Sequence, residues 1–391
     1  MKKNNKKDLN FSTKAIHVGN QPDSDSGSVI PPINLSSTFK LEEIDGVINY
    51  DYSRADNPNR RNLEKNLASL EGAEFGIAFS SGMAAIMSLF QLLDSGDHII
   101  ISKNVYGGTY RMSSKIMSRH GIQFDWIDTT SSNNIKDSIK PNTKIIFIET
   151  PTNPSLEITD IEEVSKISKD LNILLCIDNT FMSPYGQRPI TFGADIVMHS
   201  TTKSIGGHSD LVGGILLTNN SSIAEKLHFI QKSTGAVPSP FDCWLLLRSV
   251  KTLSMRYQKA SDSAIKIANW LSNNFNFKII YPGLENHPQF EIAKKQQINP
   301  IGESIFGNMI SLDLEKIELR DQFLKKLSLF TLAESLGGVE SLICVPNKMT
   351  HVSMPEKLKL DMGITPTLIR LSVGIEDSDD LINDLKYSLD I

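Results

Sequence analysis

Cysteine is scarce. The three present, Cys176, Cys243 and Cys344, stand far apart and form no C-x-x-C pair. That pattern argues against a disulfide framework or a structural zinc site and suits a reducing compartment. Cys176 lies in the apolar run 173–177, the setting of a buried, inert thiol. No run of about 18 apolar residues occurs, so no segment reads as a membrane span. Net charge is −5 with no basic excess, which argues against nucleic acid as the main partner. The histidines lack metal-ligand spacing, and no metal is expected. Neither G-x-G-x-x-G nor G-x-x-x-x-G-K-[ST] is found, which counts against dinucleotide and P-loop sites. Lys2, Lys3, Lys6 and Lys7 open the chain, but no apolar stretch follows them. The start therefore reads as a solvated basic tail and not a secretory signal, and the cytoplasm is the expected location.

What is present is an ordinary globular balance over 391 residues, 40% hydrophobic and 22% charged, enough for two or three domains. Short apolar runs at 99–101, 145–148, 173–177, 196–198 and 215–217 lack the alternation of half-exposed strands. They read as strands buried on both faces. Helical patterns separate several of them. One follows Asp160, a candidate N-cap with Glu163 three residues on. Leu63, Leu67 and Leu70 mark another, with Gly72 as its stop. The implied class is α/β with a mostly parallel sheet. After about Phe277 the texture changes to β-rich stretches around Ile310 and 368–371 and a final helix with Leu381, Leu385 and Leu389. This predicts a smaller α+β domain. The expected division is an extension over 1–55, a large domain over 56–255 and a small one over 256–391, with the boundary inside a helix at 254–274.

In open α/β sheets, ligands bind beyond the carboxyl ends of the strands. Three successive predicted strands end in polar residues. The first leads into Glu149-Thr150-Pro151-Thr152-Asn153-Pro154, the second into Asp178-Asn179-Thr180, and the third into His199-Ser200-Thr201-Thr202-Lys203. The turn Ser81-Gly82-Met83 opens an Ala/Met helix whose N–H groups suit an anion. A pyridoxal phosphate enzyme requires a lysine for the Schiff base, an acid at the pyridine nitrogen and donors for the phosphate. Lys203, Asp178, and the Ser81-Gly82-Met83 turn with Ser200 and Thr202 match that list.

The motifs extend further: Tyr52-Ser53-Arg54, Ser81-Gly82-Met83-Ala84-Ala85, Val105-Tyr106-Gly107-Gly108-Thr109, Gly207-His208-Ser209-Asp210, Glu334-Ser335-Leu336-Gly337-Gly338 and Arg370-Leu371-Ser372-Val373-Gly374. From about Thr13 to Leu385 the chain resembles the Cys/Met-metabolism family of pyridoxal phosphate enzymes. The resemblance implies an aspartate-aminotransferase-like, fold-type I architecture. It implies that Lys203 carries the cofactor and shuttles protons and that Asp178 pairs with the pyridine nitrogen. Tyr106 would stack on the ring and serve as acid or base at the leaving group. Ser81, Gly82, Met83, Thr180, Ser200 and Thr202 would hold the cofactor. Arg370 would clamp the substrate carboxylate, assisted by Asn153 and Ser335, while Arg111 would line the distal end. Tyr52 and Arg54 would reach the phosphate of a neighbouring subunit, in a homotetramer built from two dimers with shared sites.

For the reaction, the resemblance implies a small sulfur amino acid as substrate. Glu334 would meet the distal ammonium of cystathionine, and Gly108 stands where methionine γ-lyases usually carry cysteine. The expectation is γ-elimination from L-cystathionine to L-cysteine, 2-oxobutanoate and ammonia, with hydrogen sulfide release from cysteine as a side reaction. The alternative is a γ-synthase, which replaces the acyl group of O-acylhomoserine by cysteine. A methionine γ-lyase, a cystathionine β-lyase and a cofactor-binding protein without turnover rank behind these. Ser204, Asn59 and the stretch 304–309 depart from the family's usual residues.

Overall fold

The computed structural model describes residues 9–43, 49–352 and 354–389. The basic stretch over 2–7 lies outside the described residues. Seven strands form the larger sheet: β1 Phe75–Phe79, β2 His98–Ser102, β3 Gln123–Ile127, β4 Thr143–Glu149, β5 Leu174–Asp178, β6 Ile196–His199 and β7 Gly214–Thr218. Their order is β1-β7-β6-β5-β4-β2-β3. Strands β2 to β6 run parallel, and β7 is antiparallel to both β6 and β1.

The continuous apolar runs have a direct cause, because both faces of this sheet are covered. Ile146, Ile148, Leu175, Ile177 and Val197 pack into the core on one face. Ile145, Phe147, Cys176, Ile196 and Met198 pack into the core on the other. Helices form where the sequence expects them. Asp160 accepts a hydrogen bond from the Glu163 N–H and caps the helix Ile161–Asp170. Gly72, at φ 84°, ends the helix Pro58–Glu71.

Two strands of this sheet had no clear signal in the sequence. In β1, Gly76 and Ala78 dilute the β-branched character that marks a strand. In β3, an edge strand, the residues are only partly buried and the pattern is mixed.

The second sheet has five strands: β8 Lys278–Ile280, β9 Met309–Asp313, β10 Thr331–Leu332, β11 Leu342–Cys344 and β12 Leu368–Ser372. Its order is β10-β11-β12-β9-β8, antiparallel except for the β10–β11 pair. The 22-residue helix Leu253–Asn274 joins the two bodies. Leu253 and Tyr257 in its first turn belong to the core of the larger sheet. Ala264, Ile267, Ala268 and Leu271 belong to the core of the smaller sheet, with Leu381 and Leu385 of the last helix. Among the described residues no helix is long and apolar enough to cross a membrane.

Candidate active site

Strands β4, β5 and β6 end side by side, and Glu149, Asp178 and Met198 at those ends face a common cavity of about 280 Å³. Glu149 lies opposite Asp178 in the β4–β5 pairing, and Asp178 lies opposite Met198 in the β5–β6 pairing. The cavity wall includes Ser81, Gly82, Met83, Tyr106, Asn153, Asp178, Thr180, Ser200, Thr202, Lys203, Glu334, Ser335 and Arg370. The sequence thus places most of its candidates at one site, drawn from both sheets.

Lys203 follows β6 in a short turn. Its Nζ donates to Ser335 Oγ at 3.0 Å. Burial lowers the affinity of this amine for a proton, the nearby Arg370 guanidinium lowers it further, and Glu334 opposes them, leaving a pKa of about 8. Roughly a tenth of the amine is therefore neutral, hence nucleophilic and basic, at pH 7, a far larger share than an ordinary lysine offers.

Asp178 ends β5 and is buried. Burial raises its pKa, and the hydrogen bonds from Thr180 work against that rise. One of them, from the Thr180 N–H to Oδ1, measures 3.0 Å. Among the described residues no lysine or arginine lies within ion-pair distance of Asp178. A cationic partner from outside the chain would meet an acid already in place.

The Ser81-Gly82 turn opens the helix Gly82–Phe90, and Ser81 Oγ accepts from the Ala84 N–H at 3.0 Å. The N–H groups of Gly82 and Met83 have no intrahelical acceptor at such a helix start. A Cβ on Gly82 would stand 2.9 Å from Ser200 Cβ, so only glycine lets the two turns close around one small anion. Thr202 Oγ1 is tied to Gly213, accepting its N–H at 3.0 Å.

Arg370, on β12, lines the cavity from the smaller sheet. It is 2% exposed. Its Nη1 donates to Asn153 Oδ1 at 2.7 Å and its Nη2 to the Ser335 carbonyl at 2.9 Å. Its buried Nε has no hydrogen-bond partner among the described residues. Ser335 sits at φ 109°, a region that L-residues rarely occupy. That conformation presents its hydroxyl to Lys203 and its carbonyl to Arg370. A buried guanidinium without a carboxylate is costly unless an anion arrives to match it.

Three features were missed in the sequence. Glu149, a motif member to which no role was assigned, accepts the Tyr106 N–H at 2.8 Å and the Asn153 N–H at 3.0 Å. It therefore fixes both the aromatic wall and the partner of Arg370. Burial and the neighbouring Asp178 raise its pKa well above the usual range. A carboxylate at a strand end beside Asp178 was the available signal. Thr350 on the wall and the buried His351 behind it had none, since they arrive from a loop of the small sheet. His351 Nδ1 contacts Thr350 Oγ1 at 2.8 Å, and burial with Arg370 nearby pushes its pKa down to about 4.

Not every candidate converges. Arg111 is exposed on the helix Gly107–Lys115 and does not line the cavity. Tyr52 and Arg54 lie outside it as well. Tyr52 is 46% exposed, and the Arg54 guanidinium stands 5.5 Å from its ring while donating to the Lys232 carbonyl. Asn59, fully buried, accepts the Asn34 N–H at 2.8 Å and donates to the Pro32 carbonyl at 2.8 Å, which pins the arm that carries Tyr52 and Arg54.

The donor set fits pyridoxal phosphate: an amine for its aldehyde, an acid for its ring nitrogen, and a helix start with two hydroxyls for its phosphate. Known proteins resemble this chain over nearly its whole length. Cystathionine gamma-lyase of Bacillus subtilis (strain 168) is 48% identical over 97% of this chain and 98% of its own length. Cystathionine beta-lyase of Lactococcus lactis subsp. cremoris (strain MG1363) is 47% identical over 97% of this chain and 99% of its own. The crystal structure of cystathionine gamma-lyase from Lactobacillus plantarum complexed with L-serine superposes with a TM-score of 0.93 at 42% identity, covering 97% of this chain and 98% of that one. The family described as Cys/Met metabolism PLP-dependent enzyme matches residues 12–390, and the lysine, acid and anion cradle assembled above belong to a member of that family, with pyridoxal phosphate as its cofactor.

Proposed function

We propose that this chain is a carbon–sulfur lyase that cleaves L-cystathionine by γ-elimination to L-cysteine, 2-oxobutanoate and ammonia. Arg370 binds the α-carboxylate, with Asn153 and Ser335 fixing the plane of its guanidinium. Lys203, with a pKa of about 8, removes the proton from the substrate's α carbon and moves it along the chain. Asp178 holds a proton at the ring nitrogen. The cofactor, when bound, supplies an electron sink that makes such carbanions accessible. Tyr106 delivers a proton to the departing sulfur.

The observation that carries the choice of substrate is Glu334. It lines the same cavity as Arg370 and Lys203, so one pocket offers a cation for one end of the substrate and an anion for the other. A substrate with a carboxylate at one end and an ammonium at the other, as in cystathionine, uses both. The β-lyase named above is as similar to this chain as the γ-lyases are, which keeps β-elimination as the second reading. Purified protein given L-cystathionine should release 2-oxobutanoate and cysteine. Pyruvate and homocysteine would establish the β-lyase instead. Faster formation of cystathionine from O-acylhomoserine and cysteine than its cleavage would establish the γ-synthase.

The reading includes a site completed across a dimer interface by Tyr52 and Arg54, two such dimers in a tetramer, and a cytoplasmic enzyme. Its large domain covers 56–255 and its small domain 256–391, with 1–55 as the arm. The exposure of Tyr52 and Arg54 outside their own cavity supports the shared site.

A further inference from the structure

The start of the helix Leu253–Asn274 does not line the cavity, yet two adjacent buried residues there, Arg256 and Tyr257, reach different active-site loops. Arg256 is buried and has no carboxylate within ion-pair distance among the described residues. All its donors go to neutral oxygens. Nη1 reaches the Ser204 carbonyl at 2.8 Å, Nη2 the Ile205 carbonyl at 3.3 Å and the Ser249 carbonyl at 2.9 Å, and Nε the Thr252 hydroxyl at 3.1 Å. Ser204 and Ile205 directly follow Lys203. Their carbonyls close the turn that carries the lysine, in which Gly207 N–H bonds Lys203 O at 2.8 Å. Gly207 has φ +71° and a Cβ there would stand 1.9 Å from Arg256 Nη1, so the turn is shaped to admit the guanidinium.

Tyr257, the next residue, is also buried. Its hydroxyl donates to the Phe181 carbonyl at 2.8 Å. Phe181 lines the cavity and lies three residues past Asp178.

We infer that Arg256 and Tyr257 are a positioning pair that sets the span between Lys203 and Asp178 across the cofactor. This rests on the roles proposed above for those two residues. The lysine and the acid must address opposite ends of one rigid ring, and sub-ångström placement governs such contacts. A buried cation that serves only carbonyls is costly, and its position beside the lysine turn gives that cost a purpose.

The test uses the holoenzyme and the variants Arg256→Met, Arg256→Lys and Tyr257→Phe. Readouts are the cofactor dissociation constant, the circular dichroism of the cofactor's visible band, kcat against KM, and the melting temperature of each protein stripped of cofactor. Arg256→Met should weaken cofactor binding by about 10- to 100-fold, and Tyr257→Phe by roughly 5-fold. Both should change the visible dichroism and lower kcat more than they raise KM, with Arg256→Lys between wild type and Arg256→Met. Tyr257→Phe removes one oxygen and keeps the packing, so it decides the matter if both Arg256 variants fail to fold. Wild-type dichroism, cofactor affinity and kcat in Tyr257→Phe and in every Arg256 variant that folds would overturn the inference. A wild-type enzyme whose borohydride-reduced cofactor is not attached to Lys203 would instead overturn the reading on which it rests.

Discussion

Two groups of buried charge lie on opposite faces of the same sheet, and they are resolved in opposite ways. Behind β6, on the face away from the cavity, Glu71 and His199 are both fully buried and meet at 2.8 Å. Glu64 is held there too, accepting the Ala78 N–H at 2.9 Å beside Arg60. Each of these carboxylates has a basic partner within the chain, although Glu71 Oε1 and His199 Nδ1 make no hydrogen bond among the described residues. At the strand ends, Asp178 and Arg370 have no ionic partner among the described residues, and Lys203 has only a hydroxyl. Buried charge that a chain satisfies itself is architecture. Buried charge left open marks where a ligand completes the electrostatics.

The sharpest way to break this comparison is to remove the open amine. Lys203→Ala should abolish covalent cofactor attachment and lower turnover by about a thousand-fold or more, while the stripped protein keeps its melting temperature. Borohydride reduction followed by peptide mapping reads the attachment. A cofactor still fixed covalently in the variant would put the open charge elsewhere.

The matching change on the closed face should do the reverse. Glu71→Ala leaves His199 without its partner in a sealed site and should destabilise the fold by roughly 3 kcal/mol. Thermal unfolding measures this, with kcat per folded molecule close to wild type. If activity falls and the melting temperature does not, the Glu71–His199 pair belongs to the site and the contrast fails.

The smallest effect is a shift in pH dependence. Only the neutral amine combines with the cofactor's aldehyde, so recombination of the stripped enzyme with pyridoxal phosphate should accelerate with pH through a midpoint near 8, where Lys203 titrates, and level off above it. Arg370 is one of the groups that hold that value down. Arg370→Gln removes its positive charge, makes the protonated amine easier to keep, and should move the limb upward by up to about one unit. A limb that stays in place would show that burial alone tunes the lysine.

How much of this was visible beforehand follows from the kind of signal each residue leaves. The runs at 145–148 and 173–177 are apolar throughout because both sides of the sheet are covered, so strand, edge and terminal residue could all be read from them. Asp178 and Lys203 stood out as polar residues at the ends of such runs. Arg370 and Ser335 left no such mark, because an arginine inside a strand and a serine in a loop are ordinary by themselves, and the family's motifs located them. Glu149 was in view without a role, since nothing in its neighbourhood along the chain says that it holds Tyr106 and Asn153. Arg256 and His351 were invisible. Their contacts join segments far apart along the chain, and such contacts impose no periodicity.

Asn59 grips the arm at Pro32 and Asn34 from a fully buried position, and the Trp244 indole holds the Pro31 carbonyl at 3.1 Å. The arm's course is thus set inside its own subunit. Whatever surface it later meets finds a segment already shaped, so association need not supply the ordering entropy that a loose tail would demand. Under the proposed shared site, folding would come before assembly, and the affinity between copies would depend on the contacts alone.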